Sequence, residues 1–207
     1  MTPGPAVSLA QRKRQLVEDE LTEAAFRLLT AQGFDAVTVD TIAAEAGVSK
    51  RTFFRYFASK EDVIVRFLAD LGSGIRAELA ARPAGEPPSA ALRQAVSVPL
   101  TVCGTHGEHG ERPLRAVQLI LRTPALHARF LERQAEWREG LSAELAARLG
   151  RDPATDLYPR LAAGMALTAF GAVLERWSDS DGAADPAALT AEAFAVLAPA
   201  LDAAAPS

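Results

Sequence analysis

The chain has 207 residues, enough for one or two domains with a sizeable core. Apolar residues make up 49% and aromatics only 6%, with heavy use of alanine, a balance that favours close-packed helices over sheets. A net charge of −4 argues against general nucleic-acid affinity of the whole molecule, so any such function has to be confined to a local surface.

The opening segment, MTPGPAVSLAQRKR, lacks the charged-then-apolar order of a signal peptide, and no apolar run in the chain is long enough to span a membrane. The expected location is the cytoplasm. Residues 1–8 are expected to be a disordered leader. Arg12, Lys13 and Arg14 precede the first helix proper, and two readings stand for them. They are a disordered, solubilising leader, or an arm or helix end that reaches the phosphates or minor groove beside the recognition helix. Val17, Leu21, Ala24, Ala25, Leu28 and Leu29 then form the buried stripe of a first helix, which Gly33 stops before Phe34 returns to the core.

Residues 38–60, TVDTIAAEAGVSKRTFFRYFASK, carry the densest signals. Thr38 caps a short helix with Asp40 in its first turn, where the helix dipole favours a negative charge. Val39, Ile42, Ala43 and Ala46 give it one apolar side, and Gly47 ends it. Ser49 opens a second short helix, Lys50 to Phe57, and Ser59 caps a third with Asp62 as its capping-box-like partner. In the second helix Phe53 and Phe57 share a face with Val48 and are expected in the core. Lys50, Arg51, Phe54 and Arg55 lie opposite, with Thr52 and Tyr56 at the margins. Residues 46–60 hold four cations and no acid. Two helices around a tight turn, the second with a basic outer face, suit a helix-turn-helix that enters a major groove. Such cations neutralise phosphates and can donate to guanine edges. The plainer alternative is a solvated basic helix.

The stretch from Arg12 to Val65 resembles the N-terminal domain of the TetR family of transcriptional repressors. The pattern T-x-x-x-I-A-x-x-A-G-V-S-x-x-T-x-[FY]-x-Y-F-x-x-K is complete here, with Phe54 where the family most often has tyrosine. The resemblance implies that Lys50, Arg51, Thr52, Phe54, Arg55 and Tyr56 face DNA. It also implies that Thr38 and Lys60, at two helix N-termini, grip backbone phosphates. At Phe54 the missing hydroxyl leaves only van der Waals contact.

From Lys60 onward proline and glycine divide a run of helices: 60–81, then a loop at 82–89, 89–102, 112–122, Thr123-Pro124 opening a helix to Leu149, Thr155 to Ser178, and Asp185-Pro186 opening a last helix to Leu201. The single cysteine, Cys103, excludes an intramolecular disulfide, in keeping with a reducing compartment. No window alternates β-branched and polar residues, so the expected class is all-α with about nine helices. A DNA-binding domain is expected over 9–59 and a helical remainder over 60–203.

Small residues crowd the penultimate helix (Ala162, Ala163, Gly164, Ala166, Ala169, Gly171, Ala172) and let backbones approach closely. Residues alone leave an internal core and a dimer interface equally open. A two-fold dimer reads two half-sites, and the family resemblance implies a homodimer through the last two helices. It also implies a ligand pocket among the middle helices, for which Leu100, Leu119, Leu126, Phe130, Trp137, Leu141, Met165 and Phe170 are candidate walls. A filled core is the plainer reading of these apolar stripes, since a pocket is an incompletely filled core. The segment RAVQLILRTPALHARFLERQAEWREGLSAELAARLG and the later Glu175-Arg176-Trp177 are similar to the mycofactocin-regulator-like subgroup. That similarity implies an acyl-CoA-like ligand, with Arg115 and Arg122 facing its phosphate or carboxylate.

His106, Glu108, His109 and Glu111 are read as a solvated polar loop rather than a metal site. No nucleophile elbow or phosphate-cradling loop occurs, and neither an enzyme nor a cofactor is expected. The expected function is a homodimeric repressor that binds a palindromic operator and is released by a small, apolar or acyl-CoA-like ligand. The alternatives are a DNA-binding regulator without a small-molecule effector, or an activator.

Overall fold

The computed structural model describes residues 8–103 and 111–203, and these contain nine helices and no strand. They are α1 (Leu9–Gln32), α2 (Val39–Glu45), α3 (Lys50–Tyr56), α4 (Lys60–Ala81), α5 (Pro88–Cys103), α6 (Glu111–Arg122), α7 (Pro124–Leu149), α8 (Tyr158–Asp179) and α9 (Pro186–Asp202). The chain divides into two compact units, Met1–Phe67 and Leu68–Ser207, with the division falling inside α4.

In the first unit α1 supplies one wall of a small core. Leu21, Ala24, Ala25 and Leu29 are fully buried, together with Val37, Ile42, Ala43, Phe53, Phe57, Val63 and Ile64. Two ion pairs tie α1 to its neighbours, Arg27 to Glu45 at 3.0 Å and Arg66 to Glu18 at 3.4 Å. The caps fall where the sequence puts them. Thr38 accepts from the Thr41 amide at 3.2 Å and its own amide donates to Thr41 Oγ1 at 3.0 Å, a capping box closed by threonine. Gly47 takes φ +66°, which lets the chain reverse tightly between α2 and α3. Ser49 accepts from the Thr52 amide, and Ser59 from the Asp62 amide. The Asp62 carboxylate in turn accepts from the Ala58 amide, one residue before the expected partner.

One expectation is corrected here. Arg12, Lys13 and Arg14 do not precede the first helix. They belong to it, because α1 starts at Leu9 and the Arg12 amide already bonds to the Ser8 carbonyl at 3.0 Å. After Pro5 no residue interrupts helix formation, so the helix extends outward to the basic triplet. Residues 1–7 of the expected leader lie outside the described residues.

In the second unit α7 packs on α8 and α6, and α5 and α8 both pack on α9. Gly150 ends α7 in the left-handed region at φ +63°. Asp185 caps α9 by accepting from the amides of Ala187 and Ala188. Thr123 occupies the expected N-cap position of α7, with Pro124 first in the helix, but its side chain makes no capping bond. One boundary differs from expectation by more than a residue. The helix expected from Thr155 begins at Tyr158, because the Asp152 and Asp156 side chains accept from the amides of Ala154 and Tyr158 and hold a turn instead. The loop after α4 is pinned from two sides. Arg82 makes paired 2.7 Å bonds to Glu86, and Arg148 donates to the carbonyls of Arg82 and Pro83. The Ser89 amide and hydroxyl both donate to Asp202, joining the start of α5 to the end of α9.

Candidate DNA-binding surface and C-terminal core

α3 is held by its inner face. Phe53 and Phe57 are buried at 0% and 2% exposure, and their rings lie 5.7 Å apart. Because successive residues turn by about 100°, anchoring these two leaves Lys50, Arg51, Phe54 and Arg55 pointing outward. All four are exposed, with Thr52 and Tyr56 half-buried beside them. Phe54 sets its ring edge-on against Phe53, which fixes an apolar side chain in the middle of the basic face.

The cations on this face are not equivalent. Lys50 Nζ lies 2.9 Å from Asp40 Oδ2, so an acid from the first turn of α2 shares the surface. The Arg55 guanidinium lies 5.2 Å from the centre of the Tyr56 ring. From α1, Arg14 lies 6.0 Å from the same ring. The fold sets Arg14, on α1, beside the second helix of the motif, the side on which the sequence reading of a helix end puts it. Thr38 is exposed at the N-terminus of α2, with its hydroxyl engaged in the capping box. Lys60 is turned inward. Its ammonium donates to the carbonyls of Phe34 and Val37 at 2.6 and 2.9 Å and lies 4.1 Å from the centre of the Phe34 ring.

The middle helices bring most of the expected pocket residues into one interior. Leu100, Leu126, Phe130, Trp137, Leu141 and Phe170 are all buried. Phe130, Trp137 and Phe170 form a chain of edge-on rings, with centroids 5.9 and 6.3 Å apart. Trp137 also packs against α4, where a Cβ on Gly72 would stand only 2.0 Å from the indole nitrogen. That buried Nε1–H has no acceptor among the described residues. The sequence gives no sign of the Gly72 contact, since a glycine inside a helix normally reports only weaker helix formation.

Met165 does not join this cluster. It is five residues from Phe170 on α8, which sets the two side chains about 140° apart around the helix. Met165 lines an open groove on the α8–α9 side with Leu157, Leu161, Gly164, Val196 and Leu197. In that groove Leu157, Leu161 and Val196 are exposed at 65%, 53% and 76%. Leu119 is half-buried on α6, and Arg115 is exposed. Arg122 donates to the Ser178 carbonyl at 3.3 Å and lies 3.8 Å from Asp181, so it is directed at the end of α8. His106, Glu108 and His109, with the Glu111 side chain, lie outside the described residues. Among those described, no group of three or more His, Cys, Asp or Glu residues is arranged to hold a metal. No described helix is long and apolar enough to cross a membrane.

Comparison with known proteins agrees with this division of labour. Residues 21–67 match the bacterial regulatory proteins of the tetR family, and residues 86–202 match the MftR C-terminal domain. The chain is 36% identical over 171 residues to the HTH-type transcriptional regulator TcmR of Streptomyces glaucescens, covering 81% of this chain and 75% of that protein. It is 32% identical to MftR of Mycobacterium tuberculosis, a protein named for transcriptional regulation of mycofactocin biosynthesis, covering 96% and 98% of the two chains. Among solved structures, the transcriptional regulator FadR of Bacillus subtilis in complex with stearoyl-CoA shares the fold. Its TM-score is 0.63 at 21% identity, covering 87% of this chain and 97% of the other.

Proposed function

From the premise that this chain belongs to the TetR family of bacterial transcriptional regulators, we propose that it works as a cytoplasmic homodimeric repressor, not an enzyme. It binds a palindromic operator through α2 and α3 and is released by a small apolar or acyl-CoA-like ligand. The observation that carries the DNA contact is the division of α3. Buried Phe53 and Phe57 fix the helix, and Lys50, Arg51 and Arg55 stand exposed together on its outer side. The contact surface comprises Thr38, Lys50, Arg51, Thr52, Phe54, Arg55 and Tyr56, with Arg14 added by its position over Tyr56. The arginines supply forked donors for phosphates or guanine edges, while Phe54 offers an apolar edge to a thymine methyl.

The α8–α9 groove supports the dimer. Exposed Leu157, Leu161 and Val196 stand beside Gly164 and Ala172, an apolar and closely approachable face on the last two helices. A two-fold partner there presents two copies of α3 to two half-sites of a palindrome.

The ligand class rests on the interior around Phe130, Trp137 and Phe170, which is apolar. A ligand with an apolar chain complements that chemistry. The acyl-CoA bound by the B. subtilis FadR structure belongs to this class. Gel shifts on the chain's own upstream region, with and without lauroyl-CoA, test the reading. A specific shift that lauroyl-CoA abolishes is expected. A shift indifferent to acyl-CoAs favours a regulator without such an effector, and stimulation of transcription from the shifted promoter favours an activator. Arg55→Ala is expected to weaken specific binding by about 1–3 kcal/mol, measured by anisotropy, with the fold intact.

A further inference from the structure

Among the described side chains of α6 only Ile120 is buried, whereas α7 buries seven and α8 eleven, so apolar burial does little to hold this helix down. One edge of it is held by specific contacts instead. Gln118 Nε2 donates to the Ser178 carbonyl at 3.3 Å and to Asp181 Oδ1 at 2.9 Å. Arg122 Nη2 donates to the same carbonyl, in the last turn of α8 where the helix dipole favours a cation. One turn before Gln118, Leu114 rests on the backbone of Gly182, where a Cβ would stand 2.8 Å from Leu114 Cδ2. Leu114, Gln118 and Arg122 recur every four residues, so a single stripe of α6 engages the turn between α8 and α9. That turn carries Asp181 at φ +48°, an uncommon conformation for a residue other than glycine.

At its C-terminal end α6 meets a corner. Thr123 alone separates it from α7, with an extended backbone (φ −96°, ψ 110°) and a side chain that makes no capping bond. α6 packs on both α7 and α8, the helices that carry Phe130, Trp137 and Phe170. We propose that α6 is a lid over that interior, hinged at Thr123 and latched to the α8–α9 turn through Leu114, Gln118 and Arg122. Swinging it about Thr123 uncovers one buried side chain and breaks part-exposed polar contacts that water can replace at small cost. Displacing α7 or α8 instead would uncover the aromatic cluster itself. α6 is therefore the wall that opens most cheaply to an apolar chain. The latch closes in the same way over an empty or a filled interior, so it sets how fast a ligand enters and leaves rather than how tightly it is held.

The inference rests on the ligand reading above, and its test separates the two. Full-length wild type, Gln118→Ala, Asp181→Asn and the double variant are compared; asparagine is used at 181 because it also tolerates positive φ. Hydrogen exchange without ligand is expected to quicken about tenfold at the amides of 113–122 in the double variant, with residues 124–177 at wild-type rates. Stopped-flow binding of lauroyl-CoA, read by tryptophan emission, is expected to show association and dissociation both several-fold faster, with Kd within about twofold of wild type. Both positions are at least partly exposed, and each single variant reads in the same direction if the double one does not fold. Faster dissociation alone would make these residues ligand contacts and overturn the lid. Unchanged exchange at 113–122 would overturn it as well, and so would exchange raised equally across the second unit, which describes a general loss of stability. If lauroyl-CoA does not bind the wild-type chain, the acyl-CoA reading falls, while the exchange pattern still decides whether α6 opens separately from its neighbours.

Discussion

Lys50 Nζ, on the exposed face of α3, is hydrogen-bonded at 2.9 Å to Asp40 Oδ2 at the start of α2. The pair ties the two helices of the motif together across ten residues, and it sets a carboxylate next to the cations proposed to meet phosphates. Both side chains are more than half exposed, so the pair adds little to folding stability. Its effect is on the charge that DNA encounters.

Replacing Asp40 by asparagine removes that negative charge and releases Lys50. Affinity for non-specific duplex is expected to rise several-fold at low salt. The salt dependence is expected to steepen by about one counterion. Fluorescence anisotropy over a salt series reads both, and a slope identical to wild type would show that Lys50 and Asp40 stand away from the DNA.

The α8–α9 groove gives a second test. Leu161→Glu combined with Val196→Glu introduces charge on two exposed apolar positions and should leave each chain folded. Sedimentation velocity at micromolar concentration is expected to show dimers for the wild type and monomers for the double variant. A double variant that stays dimeric would move the interface elsewhere.

Gly72→Ala probes the contact beneath Trp137. A Cβ there stands 2.0 Å from Nε1 and 2.2 Å from Cδ1, so the ring has to move. The expected cost is about 1–3 kcal/mol, typical of an overfilled core. In a Trp177→Phe background, which leaves Trp137 as the only indole, emission is expected to shift to the red. Unchanged emission would mean that the ring does not rest on Gly72.

Glu86 supplies a pH test. The hydrogen bonds from Arg82, with a further contribution from its charge, hold the Glu86 carboxyl below the usual carboxylate range. A depressed pKa in the folded state means that the bridge stabilises above the ordinary glutamate range, and that the stabilisation is lost as pH falls through the lowered value. Glu86→Gln is therefore expected to lower Tm at pH 7 and to converge on the wild type in acid. A difference in Tm that persists unchanged at acid pH would assign the effect to packing.

Much of this architecture is legible in single residues. Gly47, Ser49, Gly150 and Asp185 each act on their own backbone or on an amide two or three residues away, so their roles can be read locally. The basic face of α3 is equally legible, because two phenylalanines four apart determine which side turns outward. The contacts that qualify the site are not local. Asp40 meets Lys50 at a separation of ten residues, and Lys60 meets Phe34 at twenty-six. Trp137 meets a glycine on another helix. α8 presents a different difficulty. Apolar and small residues surround much of it, so hydrophobic spacing does not separate the Phe170 face from the Met165 face. Only the neighbours α7 and α9 decide between them.

The approach of Arg14 to Tyr56 makes the candidate reading head discontinuous in sequence, with one part forty-two positions upstream of the other. If Arg14 meets DNA as proposed, residues 9–14 have a task that depends on being coiled, since an uncoiled strand would carry the same charge without delivering it beside Tyr56. A fusion or cleavage just ahead of Leu9 can thus alter promoter occupancy while every side chain of α3 remains untouched.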